Sequence, residues 1–193
     1  MIASIILAAG SSTRMGYPKA LLSLHGVAFL ELILRAHRTL GLPVYVVLGS
    51  HHEQIRASVD LSEATVLINE RPELGQLSSL KLGLESTKDY AGVFVHPVDH
   101  PLVRRETLQL ILDAQSESPS YILVPGYEDR RGHPVFFPRD FFRELLDAPL
   151  DQVARYVVSR HPESVTIVPV SDPGVLQNID TPEDYKRVIG SKT

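Results

Sequence analysis

The sequence predicts an α/β protein with a mostly parallel central sheet, and two observations carry that expectation. Short apolar runs rich in β-branched residues recur along the 193 residues, and they are continuous rather than alternating, as strands covered on both faces must be. Between them lie longer stretches whose apolar positions fall at i, i+3 and i+4, the spacing of a helix with one buried face. Strand and helix patterns that alternate in this way pack as a parallel sheet flanked by its connecting helices.

In chain order the strand runs are 2–8, 44–48, 65–68, 92–96, 121–124, 134–137 and 164–168. The helical patterns are 29–40, 53–59, 77–87, 106–115, 140–146, 152–159 and 182–189. The opening run is far too short to span a bilayer and lacks the basic flank of a secretion signal, so it reads as a buried first strand and the location as cytoplasmic. Pro182 suits the first turn of the last helix, with Thr181 as its N-cap and Asp184 in an acidic first turn. No repeat, low-complexity tract or Gly/Pro/Ser-rich linker divides the chain, which reads as one domain over 1–193, with residues 190–193 as a tail.

With 44% hydrophobic and 22% charged residues, the composition is that of an ordinary globular protein. A net charge of −4 provides no basic field for a nucleic-acid backbone, so no nucleic-acid or membrane partner is expected; a few local cations can still hold a small anion. The absence of cysteine excludes disulfides, thiolate catalysis and Cys-ligated zinc or iron–sulfur centres.

In open α/β sheets ligands sit beyond the carboxyl ends of the strands, so the loops that follow the strands should carry the chemistry. The first is Leu7-Ala8-Ala9-Gly10-Ser11-Ser12-Thr13-Arg14-Met15-Gly16-Tyr17-Pro18-Lys19. Its small residues let backbone N–H groups approach an anion, and Arg14 and Lys19 bring charge to phosphate oxygens. It is neither a Walker A loop nor a dinucleotide fingerprint. The plain alternative is a solvated turn with two surface cations.

Asp99, after the fourth run, suits a hard Mg²⁺ ion, or else it caps the helix that begins near Arg104. Asp180 offers a second metal contact or caps the last helix, and Asn178 beside it offers a neutral oxygen. His96, Asp99 and His100 together raise the possibility of a transition-metal site, which Pro97 and Pro101 argue against; His96 reads as packed and hydrogen-bonded. Ser78 and Ser79, after Gly75, stand at a helix start that favours phosphate or a base carbonyl, or act as simple caps. Arg130, Arg131 and His133 precede a strand in a loop facing the same edge, with Arg130 read as solvated. His51 and His52 read as surface or rim residues.

The first loop closely resembles the signature of the MobA-like nucleotidyltransferases that build molybdenum cofactor dinucleotides. Gly75-Gln76-Leu77-Ser78-Ser79-Leu80-Lys81-Leu82-Gly83-Leu84, Pro97-Val98-Asp99-His100-Pro101-Leu102, Arg131-Gly132-His133-Pro134 and Asn178-Ile179-Asp180-Thr181-Pro182-Glu183-Asp184 are similar to that family's later motifs, in the same order. The resemblance implies a three-layer α/β/α Rossmann-like nucleotidyltransferase fold of the nucleotide-diphospho-sugar transferase kind. It implies an Mg²⁺-dependent transfer of a nucleoside monophosphate to a phosphorylated acceptor, with Arg14, Lys19 and Asp99 catalytic and Asp99 and Asp180 on the metal. Leu7, Ala8, Ala9, Gly10, Ser11, Ser12, Arg14, Lys19, Gly75, Ser78 and Ser79 would then bind the nucleotide, and His100, Arg131, Gly132 and His133 the acceptor.

Ala8-Ala9-Gly10, with alanine in the middle, is more like the cytidylyl-transferring members, which implies CTP and the molybdopterin cofactor as substrates. A molybdoenzyme or its chaperone is the implied protein partner. The family's Gly-Asp-x-Gly-Ala-Arg segment stands here as Leu150-Asp151-Gln152-Val153-Ala154-Arg155, without either glycine. Two alternatives stay open: cytidylyl or guanylyl transfer to a sugar, polyol or phospholactate phosphate, and a nucleotide-binding protein that delivers cofactor without turnover.

Overall fold

A computed structural model describes residues 1–190, so residues 191–193 of the expected tail lie outside the described residues, while Gly190 closes the last helix. Ten strands are found among the described residues: β1 (Ile2–Ala8), β2 (Ser23–Leu24), β3 (Val27–Ala28), β4 (Val44–Leu48), β5 (Ala64–Ile68), β6 (Gly92–Pro97), β7 (Ile122–Tyr127), β8 (Arg130–Arg131), β9 (Val135–Pro138) and β10 (Val165–Pro169). The helices are α1 (Phe29–Arg38), α2 (His52–Ser58), α3 (Gln76–Ser86), α4 (Arg105–Glu117), α5 (Phe142–Asp147), α6 (Arg155–Arg160) and α7 (Pro182–Gly190).

The main sheet runs β10-β7-β9-β6-β1-β4-β5, with β8 added on β7. Every pairing along it is parallel except those of β9, which lies antiparallel between β6 and β7, and the small antiparallel β7–β8 ladder. The sheet is therefore mostly parallel, as the continuous apolar runs require. No helix among the described residues is long and apolar enough to cross a membrane.

Successive side chains of β1 point to opposite faces, and this alternation builds the three layers. Ala3, Ile5 and Leu7 join Leu77, Leu80 and Leu84 of α3 and the buried faces of α5 and α6. Ile6 and Ala8 join Leu30, Ile33 and Leu34 of α1 and Ile55 of α2. Further along, Phe94, Leu123 and Phe136 meet Leu108 and Ile111 of α4.

Three local readings change. Residues 152–159 form a helix only from Arg155; the segment before it is a turn closed by Gln152 N–H on Pro149 O at 3.0 Å. Arg130 and Arg131 form a short strand rather than a loop. The β2–β3 hairpin was not anticipated: His25 and Gly26 both take positive φ (50° and 83°), the geometry of a two-residue hairpin turn.

Candidate active site

β1 and β6 are neighbours in register, with Leu7 opposite Pro97, so the segments leaving them emerge side by side. From β1 the sheet continues through β4 in one direction and from β6 in the other, which makes this the crevice where α/β sheets take ligands. The loop after β1 is folded on its own backbone: Met15 and Gly16 donate to Ser12 O at 2.9 and 3.1 Å, and Ser12 adopts φ 51°. Lys19 N–H donates to Ser12 Oγ at 3.1 Å, tying the backbone of Lys19 to that loop.

The side chain of Lys19 crosses to the other segments. Its ammonium donates to Asp180 in a short contact and lies 3.5 Å from Asp99 Oδ2, while Arg14 Nη2 stands 3.7 Å from Asp180 Oδ1. Ile179 N–H donates to Asp99 O at 2.9 Å, so the turn after β6 and the segment before α7 are fastened together. Asp99 Oδ1 is buried without a hydrogen-bond partner, with His100 Nε2 no closer than 3.9 Å. Burial raises the Asp99 pKa above the usual carboxylate value, Lys19 opposing that shift and Asp180 adding to it.

Neither aspartate is a helix cap. The start of α4 is capped across the chain by buried Asp172, which accepts from Arg104 N–H at 2.8 Å and Thr107 Oγ1 at 2.7 Å. Thr181 and Asp184 cap α7 reciprocally: Thr181 N–H donates to Asp184 Oδ2 at 3.0 Å, and Asp184 N–H donates to Thr181 Oγ1 at 3.2 Å. Asp180 is left facing Lys19, and Asn178 Nδ2 donates to its Oδ2 at 3.0 Å.

These groups line a cavity of about 300 Å³. Leu7, Ala8, Ala9, Gly10, Ser11, Ser12, Arg14, Lys19, Gly75, Ser79, Asp99 and Asp180 all face it, as do Gly49, His51, Pro72 and Gln76, for which the sequence reading assigned no chemistry. Gly49 directly follows β4, and the strand-end rule applied to that loop would have found it. A Cβ on Gly49 would lie 2.3 Å from Ala9 O, so only glycine allows this approach.

Ser78 is not on the lining. The helix starts at Gln76 behind Gly75, whose φ of 92° suits glycine, and no side chain caps it. Ser78 therefore sits inside the first turn, where its hydroxyl donates to Gly75 O at 2.7 Å and accepts from Asn69 Nδ2 at 2.8 Å.

A second cavity of about 530 Å³ shares Gln76 and Pro97 with the first. Its floor is apolar, with Val124, Val135, Phe137 and Val158; its polar rim holds Arg130, Arg131, His133 and Arg155, and Gly132 lines it as well. His100 lines neither cavity and instead stacks behind His133, ring centroids 4.6 Å apart. Burial, with neighbouring His133 and Lys19, holds His100 down to about 3, and burial holds His133 down to about 4, so both rings are neutral near pH 7.

His96 is packed and hydrogen-bonded. Its Nε2 meets His100 O at 3.0 Å, its Nδ1 meets His37 Nε2 at 2.9 Å, and His37 Nδ1 meets Ser4 Oγ at 2.8 Å. A carbonyl only accepts, so the proton direction is assigned along the whole row: Ser4 O–H donates to His37, His37 to His96, and His96 to His100 O. Both nitrogens of His96 are thus engaged. Among the described residues no group of three or more His, Asp or Glu is arranged as a metal centre, so the transition-metal arrangement of His96, Asp99 and His100 does not form.

This topology, with a loop of small residues and two carboxylates at its switch point, is similar in fold to a nucleotidyl transferase from Methanothermobacter, with a TM-score of 0.79. Residues 4–165 match the family described as the MobA-like NTP transferase domain, and the chain belongs to that family. It is 30% identical, over 93% of its length and 88% of the relative's, to a Rhodopirellula baltica protein named "Probable molybdenum cofactor guanylyltransferase". It is 28% identical to the molybdenum cofactor guanylyltransferase of Xanthomonas euvesicatoria, covering 96% of this chain and 93% of that one. The crystal structure of Rv0371c from Mycobacterium tuberculosis superposes with a TM-score of 0.86 at 31% identity, covering 98% of this chain and 97% of that one. A manganese complex of Rv0371c superposes at 0.81, with 28% identity and 99% coverage of both chains.

Proposed function

We propose that this nucleotidyltransferase moves CMP from CTP onto the phosphate of the molybdenum-bearing pterin cofactor and releases pyrophosphate. The observation that carries the reading is the meeting of Lys19, from the loop after β1, with Asp99 and Asp180 inside a cavity that shares Gln76 and Pro97 with a second one. The first cavity has a chain of small residues for a triphosphate. The second has an apolar floor for a flat heterocycle and arginines at its rim for an anion. The wall shared at Gln76 and Pro97 supports the reading that the two substrates bind next to each other.

In the proposed reaction an oxygen of the acceptor phosphate attacks the α-phosphorus in line, and the bond to the pyrophosphate oxygen breaks. No enzyme nucleophile is needed, so the residues position and neutralise. Amides of the loop from Ala9 to Ser12, together with Arg14 and Lys19, balance the charge that grows on pyrophosphate. Arg130, Arg131 and Arg155 hold the acceptor, and neutral His133 offers a hydrogen bond rather than a charge.

Asp99 and Asp180 would hold Mg²⁺. The donor set fits a hard cation: two carboxylates that share the Lys19 ammonium, one of them with a buried oxygen that has no hydrogen-bond partner. When bound, the ion supplies Lewis-acid neutralisation of the phosphate oxygens. The manganese complex of Rv0371c supports a divalent ion in this family's fold.

The choice of CTP rests on the resemblance of Ala8-Ala9-Gly10, which lines the nucleotide cavity, to the cytidylyl-transferring members. Two relatives carry guanylyltransferase names, so GTP is the competing nucleotide. Pyrophosphate release should be measured with each of the four nucleoside triphosphates, with molybdopterin cofactor and with sugar, polyol and lactate phosphates, with and without chelator. Turnover with CTP and the pterin alone is expected. Turnover with GTP instead would overturn the base, and turnover with another phosphate the acceptor. Tight nucleotide binding without pyrophosphate from any acceptor would make the chain a delivery protein for a molybdoenzyme or its chaperone.

A further inference from the structure

Lys19 occupies an unusual place for a residue that serves a triphosphate. Its ammonium is turned away from the loop that carries its backbone and instead touches both carboxylates that would meet the divalent ion. We propose that Lys19 selects for the metal–nucleotide complex: it stands in for the ion while the site is free of ligand, and so keeps a lone divalent cation out.

The argument is one of charge and tether. Asp99 and Asp180 place two negative charges close together, and an ammonium between them neutralises part of that repulsion. A divalent ion that joined the same oxygens would then sit beside a fixed positive charge, with the Arg14 guanidinium 3.7 Å from Asp180 adding a second. Little solvent screens the group, because the Lys19 side chain is only 13% exposed.

The backbone of Lys19 cannot leave: its N–H is on Ser12 Oγ, and its carbonyl accepts from Leu22 N–H at 3.1 Å. The side chain has no such backbone tie, and the loop from Gly10 to Ser12 lines the same cavity as Lys19. A triphosphate on the loop therefore offers Lys19 a second set of oxygens at the moment it delivers the ion to the vacated carboxylates. Either ligand alone meets the wrong charge, whereas the complex satisfies both halves.

This inference rests on reading Asp99 and Asp180 as the ion's carboxylates, and its test needs neither nucleotide nor acceptor. Binding of Mn²⁺ to nucleotide-free protein is followed by the loss of the free ion's electron paramagnetic resonance signal, for wild type, Lys19→Gln and the double variant Lys19→Gln/Asp180→Asn. Circular dichroism verifies folding, and Lys19→Met, which keeps the alkyl stem, replaces Lys19→Gln if the latter does not fold. Neutralising Lys19 should tighten Mn²⁺ binding at least tenfold, and the double variant should lose that gain. Equal or weaker binding by the folded Lys19 variant overturns the selection role, as does a gain that survives Asp180→Asn. Absence of saturable Mn²⁺ binding in every protein overturns it together with the metal reading of the carboxylates, which separates the two failures.

Discussion

Lys19 and Asp99 make the sharpest predictions at the level of single residues. Lys19 would neutralise the proposed triphosphate and Asp99 would hold its divalent ion, and removal of one such charge-stabilising contact costs about 10²–10³ in rate. Lys19→Ala and Asp99→Ala should each lower pyrophosphate release by about that factor in steady-state assays, while far-ultraviolet dichroism stays native. Near-normal turnover by either folded variant would remove it from the machinery. The buried imidazoles predict a pH dependence of stability. Burial holds His96 down to about 3 and, with neighbouring His96, holds His37 well below its usual value. In the unfolded chain both titrate near 6.5. Below that pH the unfolded state binds more protons than the folded one, so stability falls as pH drops from about 6.5 toward 3 and is unaffected by these groups above 7. Urea unfolding at a series of pH values measures this, and in His37→Leu the slope between pH 6.5 and 5 should be shallower.

At the scale of elements, the turns that build the site predict specific costs. An alanine methyl at position 49 would meet Ala9 O at 2.3 Å, so Gly49→Ala should push the first loop away and lower stability by about 1–3 kcal/mol in urea melts. Nucleotide affinity should fall with it. Thr181→Ala removes the reciprocal cap of α7 and should cost about 1 kcal/mol by the same measurement. These elements also mark what could be read from the chain alone. β1, its glycine–serine loop and the turn holding Asp99 were legible because local pattern encodes them: an apolar run, then small residues, then a charge. The β2–β3 hairpin was not, since two-residue strands carry no periodicity and His25-Gly26 is not among the common turn pairs. The antiparallel entry of β9, the approach of Gly49 to Ala9 and the capping of α4 by Asp172 are contacts between distant residues, on which no local window reports. Ser78 stands at the helix start as expected but does not cap it, because Gly75, with its positive φ, opens the helix without a side-chain cap.

For the molecule as a whole, the site lies where the sheet changes direction, and ligand there bridges segments from both halves of the chain. Binding to the folded state alone should raise stability by about 2.7 kcal/mol at a hundredfold excess over Kd, or about 5–10 °C in Tm for a chain of this size. Scanning fluorimetry with CTP and Mg²⁺ should show that rise, and chelator should shrink it. The pairing of Lys19 with Asp180 spans 161 positions, so nearly the entire polypeptide separates the two halves of the charge cluster. A chain cut at Asp172 would leave Lys19 only Asp99, at 3.5 Å, and would strip the buried Val175 and Ile179 from the core. The stretch before α7 thus joins packing to charge, and its removal should weaken capture on immobilised nucleotide and lower the unfolding midpoint together.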